Sequence, residues 1–305
     1  MFSLIMATKN RVDQIGRFMQ ALMEQDYQDF ELIIVDQNPD DRLIPLIEQY
    51  QSQFTIKHVP RFNPGTSCSR NEGRRHMAAE ADLVAFPDDD CVYPPGFLKK
   101  AVTFFACEPA HDILTTRILA LDNDTDAFGF GVHKTGPVSE YNTWSLGVTP
   151  GIFLRRAIVD AVGFDEDMGP GTPRKSSEDV DFLLRCYDHG ASIYHDAELF
   201  VRHPAPDRLY TLKQMIQREF NYGIGFGFLR IKRRMPWWVV PFDLFEPPIL
   251  GLKFLFTKQP GKVLVFPCMS VGRVIGYWHG LRAFGLRRGS HMPSTQIRSV
   301  KEIKA

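Results

Sequence analysis

Three groups of side chains in this 305-residue chain have the types and spacing to do chemistry. The first is Asp88-Asp89-Asp90, a carboxylate run directly behind the apolar stretch 82–86. Adjacent carboxylates repel one another, and a divalent cation relieves that repulsion. Hard oxygen donors select Mg2+ or Mn2+, and Mg2+ commonly links one or two carboxylates to phosphates. A solvated acidic turn is the alternative, and the position at the end of a buried strand weighs against it. The second group is Glu178-Asp179, at an expected helix start after a Gly/Pro/Ser-rich stretch. A carboxylate there either caps the helix and gains from its dipole or takes a proton from an attacking hydroxyl; on the residues alone the cap is favoured. The third is His203 in Val-Arg-His-Pro, by default a surface or packing residue, and otherwise a metal ligand completing a site begun by the aspartates.

Further polar groups cluster at strand ends. Thr8-Lys9-Asn10-Arg11 and Asp36 follow apolar runs, and Arg70-Asn71 lies on a helix after Pro64-Gly65. Arg70 can reach a phosphate or hold the aspartate run, whereas Arg74 and Arg75 read as solvated. The chain has no Walker loop and no G-x-G-x-x-G fingerprint, which weakens kinase and dehydrogenase readings. No Ser/His/Asp nucleophile signature stands out.

These groups need a scaffold, and the patterning supplies one. Residues 2–8, 31–37, 54–59 and 82–86 read as strands, the first two as apolar runs buried on both faces. Between them lie a helical stripe (Val12, Ile15, Phe18, Met19, Leu22, Met23), a helix through Leu43, Leu46, Ile47 and Tyr50, and one capped by Thr66 or Ser67 and reaching about Glu80. Alternation of this kind calls for a mainly parallel α/β sheet, whose ligands bind at the carboxyl ends of the strands. Residues 121–145 read as loop, 146–154 as strand, 160–177 as Gly/Asp/Pro-rich loop, and 191–195 and 200–203 as strands. Beyond Arg208 the pattern becomes amphipathic and helical, first over 209–231 and then from Pro236-Trp237-Trp238 to about Phe256. That second stretch is apolar but broken by Asp243, Glu246, Pro247, Pro248 and Lys253. A spanning helix needs about 20 apolar residues, so an interfacial helix pair with Trp and Lys/Arg anchors is expected instead.

The formal net charge is zero, from 36 basic and 36 acidic residues. It divides sharply: 1–201 carry 18 basic and 31 acidic side chains, and 202–305 carry 18 and 5. The basic end predicts a charged partner, and its interleaved Trp237, Trp238, Phe254, Phe256 and Trp278 suit an anionic membrane surface rather than nucleic acid. Five scattered cysteines, none in C-x-x-C spacing, read as reduced thiols of a cytoplasmic protein. The N-terminal residues lack a cationic leader and a cleavage site. Gly289-Ser290-His291-Met292 resembles a cloning scar and carries no functional weight.

Taken in order, Ala7-Thr8-Lys9-Asn10-Arg11, Val35-Asp36, Arg70-Asn71-Glu72-Gly73, the D-x-D motif Asp88-Asp89-Asp90, Gly163-Phe164-Asp165-Glu166 and Glu178-Asp179 resemble glycosyltransferase family 2 over about residues 2–205. The resemblance implies a GT-A fold, a Rossmann-like mixed, mainly parallel sheet flanked by helices. Here it would carry a C-terminal amphipathic helical extension. It implies a catalytic domain over 1–207, with a nucleotide-sugar half (1–120) and an acceptor half (121–207), an extension over 208–288 and a flexible tail over 289–305. Thr8, Asn10, Arg11 and Asp36 would surround the nucleoside, with Arg70, Asn71 and Asp89 beside the donor. Asp88 and Asp90 would hold the diphosphate through Mn2+ or Mg2+, with His203 as a looser metal match. Asp179 would be the base, with Glu178 beside it. The implied activity is inverting transfer from a nucleotide sugar, a UDP-sugar foremost, to a hydroxyl of a saccharide or lipid-linked saccharide in envelope or exopolysaccharide synthesis. The enzyme would sit at the inner face of the cell membrane. A non-catalytic transferase-like membrane scaffold and a nucleotidyltransferase are the alternatives; the second lacks its Gly-rich loop after the first strand. Two positions depart from the family: Ala7 stands where Pro is frequent, and Gly151 where Asn is frequent. The latter bears on acceptor contacts rather than chemistry.

Overall fold

The computed structural model describes residues 1–128, 132–256 and 260–285. The tail from 289, including Gly289–Met292, lies outside them. The chain forms two compact units: Met1–Phe164 with Phe182–Ala205, and Asp165–Asp181 with everything from Pro206 onward. Residues 165–181 thus group with those from Pro206 onward.

The first unit is built on one eight-stranded sheet. Its strands are β1 (Phe2–Thr8), β2 (Phe30–Asp36), β3 (Thr55–Pro60), β4 (Leu83–Ala85), β5 (Ile113–Ala120), β6 (Gly136–Pro137), β7 (Ile152–Arg155) and β8 (Ile193–His203), in the order β3-β2-β1-β4-β7-β5-β8-β6. The β1–β2, β2–β3, β1–β4 and β5–β8 pairs are parallel; β7 runs antiparallel to β4 and β5, and β6 antiparallel to β8. β2 is buried along its whole length and β1 nearly so, because helices cover both faces. The helices of this part are α1 (Asp13–Met23), α2 (Ile44–Tyr50), α3 (Thr66–Arg74), α4 (Phe97–Cys107), α5 (Thr143–Leu146), α6 (Arg156–Ala161) and, from Phe182 on, α7 (Glu178–Asp188), whose first turn belongs to the second unit. Leu4, Phe18, Leu32, Tyr93 and Phe153 belong to the core on one face, and Ile5, Val84, Phe86, Phe164 and Phe182 to that on the other.

Three sequence expectations need correction. α3 ends at Arg74 rather than near Glu80: Arg75 and His76 bond the carbonyls three residues back, tightening the last turn. Its start is set by Gly65 at φ 138°, with no side-chain cap from Thr66 or Ser67. Residues 146–154 are not one strand; a short α5 and a 3-10 turn precede β7. The two strands expected at 191–195 and 200–203 are one strand, β8, whose register against β5 shifts between Thr116 and Arg117.

In the second unit lie α8 (Pro206–Leu209), α9 (Leu212–Lys232), α10 (Val239–Leu252) and α11 (Val265–Phe284). Thr211 and Gln214 form a capping box that starts α9 three residues later than the pattern suggested. α9 and α11 meet backbone to backbone. A Cβ on Gly223 or Gly227 would strike the carbonyls of Met269 or Arg273, and one on Gly272 or Gly276 those of Phe220 or Ile224. α10 is inverted with respect to an ordinary surface helix. Its Asp243 is buried, accepting from Arg230 Nη2 (3.0 Å) and Tyr277 Oη (2.7 Å), while Trp238, Phe242, Phe245, Ile249, Leu252 and the following Phe256 recur at three- and four-residue spacing and are exposed. No helix among the described residues is long and apolar enough to cross a membrane.

Candidate functional site

The carboxyl ends of β1, β2 and β4 bring the predicted polar groups of the first unit together. The run behind β4 splits by direction. Asp89 turns toward β1, accepting a hydrogen bond from Thr8 Oγ1 (2.8 Å) and pairing with Arg11 Nη1 (3.2 Å). Asp88 and Asp90 turn to His203, whose Nε2 lies 3.7 Å from Asp88 Oδ2 and 3.1 Å from Asp90 Oδ1. His203 is remote in sequence, and two backbone bonds deliver it: Val92 N to Arg202 O (2.8 Å) and Arg202 N to Val92 O (2.9 Å). Its Nδ1 lies 2.9 Å from Pro204 O, and Phe128 packs on the ring.

The charges in this cluster are strongly coupled. Burial would raise the Asp90 carboxyl, but the hydrogen bond and charge of His203, together with Arg11, hold it down at about 2. Burial pushes Asp89 up to about 6 against the pull of Arg11 and Thr8. Burial also opposes charge on His203, yet Asp90 and Asp88 raise it above the ordinary imidazole value. The carboxylates of Asp88 and Asp90 thus favour positive charge at the point where the imidazole faces them. One ligand atom from each of Asp88, Asp90 and His203 lies within 4.8 Å of the others. Two carboxylates and an imidazole suit a divalent cation of the Mn2+ or Mg2+ kind, so the residues present fit one.

Arg70 is buried on α3, with Nη2 3.1 Å from Asp88 Oδ1 and its guanidinium over the Phe164 ring. Asn71 beside it makes a two-way bond to the Phe164 backbone, donating to the carbonyl and accepting from the N–H, both at 2.9 Å. Its amide therefore fixes the chain before Asp165. Asp36 at the end of β2 accepts two bonds from Asn38, and its other oxygen lies 2.9 Å from His58 Nε2. Asn38 Oδ1 in turn accepts from the N–H of Asn10, which sits at φ 61°. Asn38 and His58 escaped the sequence reading. The Asp-x-Asn spacing of an Asx turn could have revealed the first; the second requires knowledge of the β2–β3 register.

Glu178 and Asp179 belong to the second unit. They open α7, where the helix dipole favours their ionised forms. Glu178 is buried against Gly169, and Asp179 is half-buried, with Oδ1 accepting from Val180 N at 2.9 Å. Just before them Lys175 and Ser177 hold φ of 62° and 65°. Left-handed backbone at non-glycine residues costs energy and concentrates at functional sites. Gly151, where the resemblance suggested Asn, is explained by packing. A Cβ there would stand 2.8 Å from Ile118 Cδ1 and 3.1 Å from Thr116 O.

Comparisons with known proteins bear on the family and the fold. The chain is 26% identical over 262 residues to the beta-monoglucosyldiacylglycerol synthase of Synechocystis, a match covering 80% of this chain and 52% of that protein. It spans about half the length of the first curated relatives it matches. Among solved structures it resembles the mannosyltransferase PcManGT of Pyrobaculum calidifontis in complex with GDP-Man and Mn2+ (TM-score 0.64, 16% identity, 91% of this chain and 87% of that one). It also resembles residues 1–349 of TarS from S. aureus (TM-score 0.56, 19% identity, 92% and 88%). The model of glycosyl transferase family 2 matches residues 3–163, more than half of the sequence, and the chain belongs to that family.

Proposed function

We propose that the chain is an inverting glycosyltransferase that moves a sugar from a nucleotide-sugar donor to a hydroxyl of a saccharide or lipid-linked saccharide. The observation that carries this is the convergence of Asp88, Asp90 and His203 on one point at the carboxyl end of the sheet. These three residues hold Mn2+ or Mg2+, which when bound neutralises charge developing on the diphosphate leaving group. Arg70 adds a fixed positive charge next to Asp88. Thr8, Asn10, Arg11 and Asp36 surround the nucleoside, Asp36 being held in place by Asn38 and His58. Asp179 removes the acceptor's proton, and the oxygen attacks the anomeric carbon from the face opposite the diphosphate, which inverts its configuration. Glu178 stands beside it on the same helical turn. A thermal-shift screen of UDP-, GDP- and dTDP-sugars with Mn2+ tests the donor. The matching nucleotide at 100 times its Kd adds about 2.7 kcal/mol of stability and raises Tm by roughly 5 °C; no shift with any of them would refute the donor assignment.

The C-terminal helices hold the enzyme against an anionic membrane at the inner face of the cell. Support comes from the inverted face of α10, with Arg233-Arg234 before it and Lys253 after it. At about 21 Å α10 is shorter than the ~30 Å hydrocarbon core and suits an in-plane position with its aromatic stripe in the acyl boundary. Burying each large apolar side chain stabilises binding by roughly 1.5 kcal/mol or more. Trp238→Glu with Phe245→Glu should therefore lower flotation with phosphatidylglycerol vesicles by about 100-fold while nucleotide binding persists. Wild-type protein that floats equally with phosphatidylcholine vesicles would remove the anionic preference.

A further inference from the structure

We propose that Lys232, the last residue of α9, is a positioning residue that clasps the two ends of segment 165–181 and so sets the first turn of α7. Its Nζ donates to Asp165 Oδ2 at 2.7 Å and pairs with Asp181 Oδ1 at 2.7 Å. Met168 Sδ lies 3.8 Å away. All three charged side chains are almost completely out of solvent: 2% exposed for Lys232, 4% for Asp165 and 0% for Asp181. Buried charges persist only when paired, and Lys232 is the one ion-pair partner recorded for Asp181 among the described residues. One ammonium thus serves two carboxylates at opposite ends of a single segment.

The middle of that segment is fastened to the same helix. Ser176 Oγ donates to Tyr222 O at 3.1 Å, the Arg174 guanidinium lies over Phe228, and Gly225 leaves the room that Ser176 fills. Between these anchors Lys175 and Ser177 hold their left-handed backbones. Strained conformations last only where the surroundings over-determine them, and the clasp is a buried electrostatic element of those surroundings. Without the ammonium, Asp181 loses its ion-pair partner and the two ends lose the group that joins them. Asp181 lies on the same helical turn as Glu178 and Asp179, so its displacement reorients both.

The proposal rests on the assignment of Asp179 as the base, and the test separates the two. In Lys232→Met, tryptic cleavage after the exposed Lys175 should accelerate about tenfold or more, and kcat for transfer should fall about 100-fold, the scale of a 1 Å misplacement. Donor affinity, read by calorimetry with nucleotide and Mn2+, should stay within about twofold, because its groups belong to the other unit. Asp165→Asn keeps a balanced Lys232–Asp181 pair and covers the case in which Lys232→Met does not fold; it should show the same pattern with a roughly tenfold loss of kcat. Unchanged cleavage in a folded variant, or equal losses in donor affinity and kcat, would overturn the clasp. Faster cleavage with unchanged kcat would keep the clasp and discard the base assignment.

Discussion

Asp179→Asn should retain nucleotide binding and lose sugar transfer by roughly 100-fold or more, the scale of removing a general base. A hundredfold loss corresponds to about 2.7 kcal/mol of transition-state stabilisation. The substitution is nearly isosteric and keeps the Oδ1 acceptor for Val180 N, so the helix start survives while the proton acceptor is lost. Both Asp179 and Glu178 already have a sufficient structural reason to be acidic, since each gains from the dipole of α7. The kinetic experiment decides between that reason and catalysis. Transfer at the wild-type rate would leave Asp179 as a cap and move the search to Glu178.

Asp90→Ala should abolish Mn2+-dependent nucleotide binding in calorimetry, a loss beyond the 10–100-fold typical of disturbing groups that merely support a metal ligand. Asp90 faces His203 and also pairs with Arg11, so its removal takes away a candidate ligand and one carboxylate partner of each. Asp89→Asn is the informative control. Asp89 bonds Thr8 and Arg11 and points away from His203, so that variant should keep its dependence on Mn2+ even where nucleotide affinity falls. Equal loss in both variants would mean the run acts as an undivided acidic patch and not through a D-x-D alternation.

Much of the first unit was legible because burial on both faces prints β1 and β2 as unbroken apolar runs, and because turns behind such strands have few structural reasons to be acidic. Among the elements that went unassigned, α4 and β5 lie where Lys99-Lys100 and Thr115-Thr116-Arg117 interrupt the pattern; packing rather than local preference decides them. β8 read as two strands because Asp196-Ala197-Glu198 interrupt its apolar pattern, at the place where its register against β5 shifts. The metal candidate was legible in its aspartates, whereas the reach of His203 depends on the Val92–Arg202 bridge, a non-local pairing. The bonds that Asn71 makes to the backbone of Phe164 are equally non-local and had no signal in its motif.

The grouping of 165–181 with the C-terminal helices has a consequence for building chimaeras within this family. A single crossover near residue 205 would join a foreign helical unit to a resident loop, separating Asp165, Ser176 and Asp181 from the α9 residues shaped to receive them. Exchange of the two segments as a set, with junctions at 164/165, 181/182 and 205/206, keeps each buried charge with its native counter-charge. In this chain the heritable module is discontinuous in sequence, and recombination at one point would cut through it.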